Sequence, residues 1–303
     1  MERKVGISIG AFQEVYGDRK ALELSARAGA DSVDFSLEYD RNDYRNKDCI
    51  YSKGEEAIIE YYSGLKDYAD SLGLIIGQTH GKMPGFRNIK AEDDALVENT
   101  RLDLIATKAL GAPVCVVHNA TSIFLGANPD RTLMQNLSFD MFSKIVPFAK
   151  ENGIKIATET FGDAVRYSAV DFFGDIDEFM EAYKRVKSVP ELGDNFTVCV
   201  DTGHSNKAMR YGNPTPADVI RRIGKDIDVL HLNDNDTFTD QHKIPYTGTI
   251  DFDDVFNALD EIEYKGIYNM ELNLRHFGND FIYETAEFAV KLMKYKLKER
   301  YGN

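Results

Sequence analysis

Residues 229–252 read "VLHLNDNDTFTDQHKIPYTGTIDF". The stretch opens with the apolar character of a buried β-strand, then places His231, Asp234, Asp236, Asp240 and His242 within a dozen residues. An apolar strand running straight into ionisable side chains is what the C-terminal end of a strand in an α/β barrel looks like, because active sites are built at that end. The fold then turns on whether the rest of the chain repeats the pattern.

Short runs rich in Val and Ile recur at "KVGISIG" (4–10), "DSVDFSL" (31–37), "GLIIGQT" (73–79), "PVCVVHN" (113–119), "GIKIATE" (153–159), "FTVCVD" (196–201), "DVLHLN" (228–233) and "GIYNMEL" (266–272). Segments of helical period separate them, among them "DRKALELSARAGA", "EEAIIEYYSGLKDYADSLG" and "TLMQNLSFDMFSKIVPFAKENG", several ending in the Gly that a helix C-cap favours. "NDFIYETAEFAVKLMKYKLKER" supplies a closing helix after the last strand. Strict alternation of eight strands with helices predicts an α/β fold, a single (β/α)8 TIM barrel over residues 1–303. A doubly wound sheet would carry a Gly-rich first turn, and "GISIGAFQEVYG" contains no GxGxxG. The longer connections, roughly 38–53, 80–90, 119–131 and 160–174, are placed to form substrate walls.

Composition narrows the partners. The formal net charge of −14 repels polyanions, so nucleic acid is disfavoured. Cys49, Cys115 and Cys199 are far apart and odd in number, and two of them sit in strand-like runs; they read as reduced core residues, neither a disulfide framework nor a zinc knuckle. "MERKVGISIGAF" has no apolar leader region, and no apolar span of 18 residues occurs, which predicts a cytoplasmic protein without a membrane segment.

Four strands end on groups that can bind a cation: "IKIATE" on Glu159, "TVCVD" on Asp201, "DVLH" on His231 and "YNME" on Glu271. They belong to strands five to eight, neighbours around a barrel, and can converge at its mouth. Three carboxylates crowded in a partly dry cleft repel one another unless a divalent cation neutralises them. One imidazole with three carboxylates suits Mn2+, Mg2+ or Co2+ and admits Zn2+ or Fe2+. His80, His118, His204 and His242 lie at or just past strand ends and are expected to line the pocket, while Arg275 and His276 after strand eight are placed to meet a substrate anion.

The motifs "ETFG", "CVDTGH", "HLNDND…DQH…GTIDF" and "MEL" resemble those of the xylose isomerase-like TIM-barrel superfamily, the sugar isomerase/epimerase and endonuclease IV group, over essentially the whole chain. The resemblance implies one divalent metal, Mn2+ first, held by Glu159, Asp201, His231 and Glu271, with the two glutamates as the catalytic acid–base pair. It further implies a substrate contact from His204, and a loop carrying Asp240 and His242 that shapes the pocket; by position, His80, His118, Asp240, His242 and Arg275 are expected to bind substrate as well. The expected function is a metal-dependent sugar or sugar-derivative isomerase or epimerase. Two alternatives stay open: a lyase on the same scaffold, such as an inosose dehydratase or the catalytic subunit of a 3-oxo-glycoside or C-glycoside deglycosidase, and an endonuclease IV-like zinc nuclease. In the nuclease, positions matching His80 and His118 hold one extra zinc, and those matching His204, Asp240 and His242 another. Barrels of this group often pair as dimers or tetramers, and a C-glycoside deglycosidase would need a small partner chain. One departure weakens the free-ketose epimerase reading: Val165 stands where those enzymes carry a second glutamate, and Thr237 where they carry an arginine. Against the nuclease, the top loops are mixed or acidic and rich in aromatics, which suits a sugar better than a phosphate backbone.

Overall fold

The computed structural model describes residues 3–37 and 42–302. Eight parallel strands form the barrel: Val5–Ser8, Ser32–Ser36, Ile75–His80, Val114–Val117, Lys155–Glu159, Phe196–Asp201, Ile227–His231 and Tyr268–Met270. They are called strands one to eight below. Seven neighbouring pairs are joined by parallel ladders, strand eight pairing back onto strand one. The seam between strands seven and eight is closed just beyond the ladder by a parallel bridge, Leu232 to Met270, whose hydrogen bonds run from Leu232 N to Asn269 O (2.8 Å) and from Glu271 N to Leu232 O (3.2 Å).

Each strand centre falls where the apolar pattern places it, and ends shift by a few residues. Strand three extends to include His80, whereas strand eight stops one residue short of Glu271. The helices follow suit, for instance Glu55–Ser71, Lys90–Ala109 and Arg131–Asn152. Gly153 ends the last of these at φ +70, a left-handed cap that glycine adopts without a Cβ penalty. The helix Gly10–Tyr16 and the two-residue hairpin Asp163–Ala164 with Ala169–Val170 decorate the top and have no counterpart in the periodicity. Residues 38–41 of the loop expected over 38–53 lie outside the described residues.

The core has two layers. A small cluster inside the barrel comprises Val114, Val116, Ala157, Cys199 and Val229, while a large one fills the space between strands and helices. Side chains alternate along a strand, so the residues two positions beyond an interior residue also face the axis. That rule carries Val116 to His118, Ala157 to Glu159, Cys199 to Asp201 and Val229 to His231. All three cysteines are buried and unpaired. Among the described residues, no helix is long and apolar enough to cross a membrane.

Candidate functional site

At the mouth of the barrel one donor atom from each of Glu159, Asp201, His231 and Glu271 comes within 4.8 Å of the others. Three further triads meet the same test: His80 with His118 and Glu159, His204 with Asp240 and His242, and His80 with His231 and Glu271, the last built on two members of the first group. Glu159 is the hub. Its carboxylate lies 2.9 Å from His118 Nε2, 3.4 Å from His80 Nε2, 3.3 Å from His204 Nδ1 and 3.2 Å from His231 Nδ1. Nevertheless both Glu159 oxygens and His231 Nδ1, all buried, lack an aligned hydrogen-bond partner.

The imidazoles explain why. A carbonyl or carboxylate oxygen can only accept, so a ring nitrogen against one must carry the proton. His80 Nδ1 donates to Gly81 O (3.0 Å), His204 Nδ1 to Thr160 O (3.1 Å), His242 Nδ1 to Glu271 O (3.2 Å), and His231 Nε2 to Asp34 Oδ2 (2.9 Å). A neutral ring anchored in this way presents a bare lone pair from its other nitrogen, in His80 and His231 to the Glu159 carboxylate and in His204 and His242 to that of Asp240. Lone pairs facing carboxylates at hydrogen-bond range repel, and a cation between them turns repulsion into ligation. An imidazole whose far nitrogen is pinned by a carboxylate or a carbonyl is also the usual form of a metal-bound histidine. The orphaned atoms and the pinned rings therefore fit a divalent cation.

Without the cation, protons take its part. Burial opposes charge on His242, but Asp240 and Glu271 beside it overcome this and push the ring up to about 9. His204 and His231 are likewise raised well above the ordinary imidazole value against the cost of burial, His204 by Asp201 and Asp240, and His231 with Glu271 and Glu159 among its causes. Burial pushes the Glu271 carboxyl up to about 7, with Glu159 and Asp201 adding to the shift and His231 and His242 opposing it. Glu159 is the reverse: burial would raise it, and the rings of His118 and His231 hold it well below the usual carboxylate range.

The loop after strand seven sorts its acids by position. Asp234 is a staple: its carboxylate accepts the N–H groups of Gly248 (2.8 Å), Ile250 (3.1 Å) and Asn235 (2.9 Å), and its backbone pairs with Lys243. Asp236 caps its own turn through Phe238 N, Thr239 N and the Thr239 hydroxyl. Only Asp240 and His242 fold back over the pocket, His242 Nε2 standing 3.4 Å from Asp240 Oδ2. His242 sits at φ +44, a costly conformation for a residue with a Cβ, and such strain clusters at functional sites.

A cavity of about 190 Å³ reaches the cluster and is lined by Asp34, Ser36, His80, His242, Glu271 and Arg275 among others. Arg275 borders it, with its guanidinium paired to Glu14, and His276 lies outside it. The Phe161 ring stands between His118 and His204, with centroids 5.5 and 5.4 Å away. Val165 is 63% exposed and takes no part in the cluster, and the Thr237 hydroxyl is spent on that of Thr249 (2.8 Å).

Three groups escaped the sequence reading. Asp34 and Gln78, from strands two and three, meet each other (3.1 Å) and His231 beneath the cluster. Their signal was a strongly polar residue at an interior position of a strand, Asp34 between Val33 and Phe35 and Gln78 two residues after Ile76. Lys207, three residues after His204, is buried against Asp163 (2.8 Å) and reaches Asp240 (3.6 Å); its i+3 spacing from His204 was the available hint.

Comparison with known proteins agrees with this architecture. The profile of the xylose isomerase-like TIM-barrel family matches residues 22–292. The chain belongs to that family. Over 163 residues it is 30% identical to the uncharacterized protein MJ1311 of Methanocaldococcus jannaschii, a match covering 54% of this chain and 51% of that protein, so it spans about half the length of this relative. A D-tagatose 3-epimerase-like protein superposes with a TM-score of 0.70 at 21% identity, covering 97% of this chain and 99% of that one. The 3-keto-D-glucoside 4-epimerase YcjR from E. coli gives a TM-score of 0.71 at 13% identity, with 96% and 100% covered. At these identities the likeness establishes the fold.

Proposed function

We propose that the chain is a divalent-metal-dependent isomerase or epimerase of a sugar or sugar derivative, working by proton transfer at a carbon beside a carbonyl. The observation that carries the reading is the convergence of Glu159, Asp201, His231 and Glu271 from the ends of consecutive strands, with carboxylate oxygens of the two glutamates 3.2 and 3.4 Å from His231 Nδ1. These four residues would hold the ion, Mn2+ in first place, with Mg2+, Co2+ or Zn2+ as alternatives. When bound, such an ion supplies Lewis acidity toward a carbonyl and a neighbouring hydroxyl. Glu159 or Glu271 takes the proton from the substrate carbon, and the other glutamate returns one from the opposite face. His80, His118, His204 and Asp240 meet the hydroxyls, and Phe161 offers a ring face to the apolar side of the sugar. The likeness to a D-tagatose 3-epimerase-like protein and a 3-keto-D-glucoside 4-epimerase supports this reading, and the second favours keto-sugars. If the substrate carries a leaving group β to the abstracted proton, the same residues perform an elimination.

The two outer triads favour a second reading, a three-ion phosphoester hydrolase of the endonuclease IV kind. The charge of −14 argues against a nucleic-acid substrate. Metal analysis of the purified protein, followed by deuterium exchange from D2O into ketoses, inososes and 3-oxo-glucosides, separates the two. One equivalent of ion, with label entering a sugar C–H in the wild type and not in Glu271→Gln, supports the isomerase. Three tightly held zinc ions with no exchange into any sugar would overturn it.

A further inference from the structure

Beside the metal-side cavity lies a larger one of about 510 Å³ that the chemistry above leaves unused. One wall is the loop after strand seven, with His242, Ile244 and Thr247; the other is the segment after strand eight and the closing helix Ile282–Tyr301. Phe281, Glu284, Thr285 and Phe288 follow one another at spacings of three, one and three, which puts them on a single helix face. Phe277, Phe281 and Phe288 turn 65%, 54% and 54% of their surface to solvent. Large aromatic side chains grouped in the open mark a binding surface more often than a packing device.

His242 and Asn273 line both cavities, and Asn273 N donates to His242 O at 2.9 Å, so one ridge separates the two spaces. The near face of that ridge is the ion cluster. The metal-side cavity, at 190 Å³, falls short of the ~300–1,000 Å³ usual for small-molecule sites, while the groove lies inside that range. A substrate larger than a single sugar therefore has room on the far side of His242. The surface there is mainly apolar, from Ile244, Phe277, Phe281 and Phe288, while Lys243, Asn273, His276 and Glu284 bring polar and charged groups to its walls, a lining that suits an aromatic ring bearing hydroxyls at its edge.

We infer that this groove is an aglycone subsite: the substrate is a glycoside or keto-glycoside whose sugar lies at the ion cluster and whose aromatic aglycone lies against Phe277, Phe281 and Phe288. The inference rests on the sugar reading above and narrows its substrate class.

The test is calorimetric binding to the metal-loaded full chain of phenyl β-glucoside, methyl β-glucoside and phenol, in the wild type, Phe277→Ala/Phe281→Ala and Phe288→Ala. These side chains are exposed and outside the ion cluster, so the variants keep the fold. The phenyl glucoside is expected to bind about tenfold more tightly than the methyl glucoside, an advantage the variants lose while methyl glucoside binding stays constant. Equal affinity of the two glycosides in the wild type, or an advantage that survives in every variant, overturns the inference. So does sedimentation showing a dimer that falls apart in Phe277→Ala/Phe281→Ala, since a second copy of the chain then covers the groove. Phenol binding that the variants lose, together with no binding of either glucoside, overturns the sugar reading and the aglycone assignment with it, leaving a bare aryl site.

Discussion

Asp34 offers the sharpest handle on the proposed metal centre, because it touches no ion ligand except through His231. Its Oδ2 accepts His231 Nε2 at 2.9 Å and Gln78 Nε2 at 3.1 Å, and the residue is 1% exposed, so water screens little of its charge. The hydrogen bond fixes which nitrogen of His231 carries the proton and leaves Nδ1 free for the cluster. Asp34→Asn keeps an acceptor but removes the charge; Asp34→Ala removes both. Loss of such a supporting group typically costs 10- to 100-fold in metal affinity, about 1.4–2.8 kcal/mol. We expect Asn near the lower end of that range and Ala near the upper. Ala should also lose about 1–3 kcal/mol of folding stability, because the acceptor shared by the buried donors of His231 and Gln78 is gone and the contact between these two can satisfy only one of them. Competition of the apoprotein with a chromogenic chelator for Mn2+ or Zn2+ measures the affinities, and urea unfolding measures the stability. A metal affinity in Asp34→Asn and Asp34→Ala within twofold of wild type would refute the idea that Asp34 positions His231 for an ion.

Three further expectations follow from the same geometry. A Cβ on Gly203 would lie 1.9 Å from Asn233 Oδ1, and Asn233 is the residue that donates to Asp201 Oδ2 at 2.7 Å, so Gly203→Ala should cost about 1–3 kcal/mol in urea unfolding and weaken metal binding; wild-type stability would show that the loop yields freely. Asp234→Ala strips three backbone N–H groups of their acceptor and should make residues 235–250 the first site of limited proteolysis, whereas an unchanged cleavage pattern would show that the Lys243 pairing alone holds the loop. The Glu271 carboxyl is raised from 4.5 to about 7 and the His242 ring from 6.5 to about 9, so each contributes stability at low pH that is lost as pH climbs through its window. The metal-free protein should therefore melt at progressively lower temperature from pH 5 to pH 9, and saturating divalent ion should flatten the profile; a flat metal-free profile would contradict it.

How much of this was visible in the amino-acid order depended on range. Strand centres could be read because an interior strand of a barrel is apolar on both faces and stands out against amphipathic helices. Strand ends were less legible, since the residues just past strands four and eight, His118 and Glu271, are polar groups that continue the strand's direction without its ladder. The four-residue cluster followed from strand-end position alone. Asp34, Gln78 and Lys207 did not, because their roles depend on which side chains lie across the barrel axis, and no local periodicity encodes that. The two functions of the acids after strand seven were also mixed in the sequence: Asp234 and Asp240 are chemically identical, and only the backbone path decides that one knits the loop while the other faces the pocket.

The seam between strands seven and eight has a mechanical meaning. Every other neighbouring pair is laced by a ladder, while this one is held by the single Leu232–Met270 bridge. His231 and Glu271 stand on opposite sides of that seam, one residue from the bridge. An ion shared by both, as proposed, would work as a clasp on the staves of a cask: while it was in place the hoop would be continuous, and when it left, the weakest joint would be the one it had spanned. Ion loss and barrel breathing would then be one event, and amide exchange at Leu232 and Glu271 would quicken before any helix loosens.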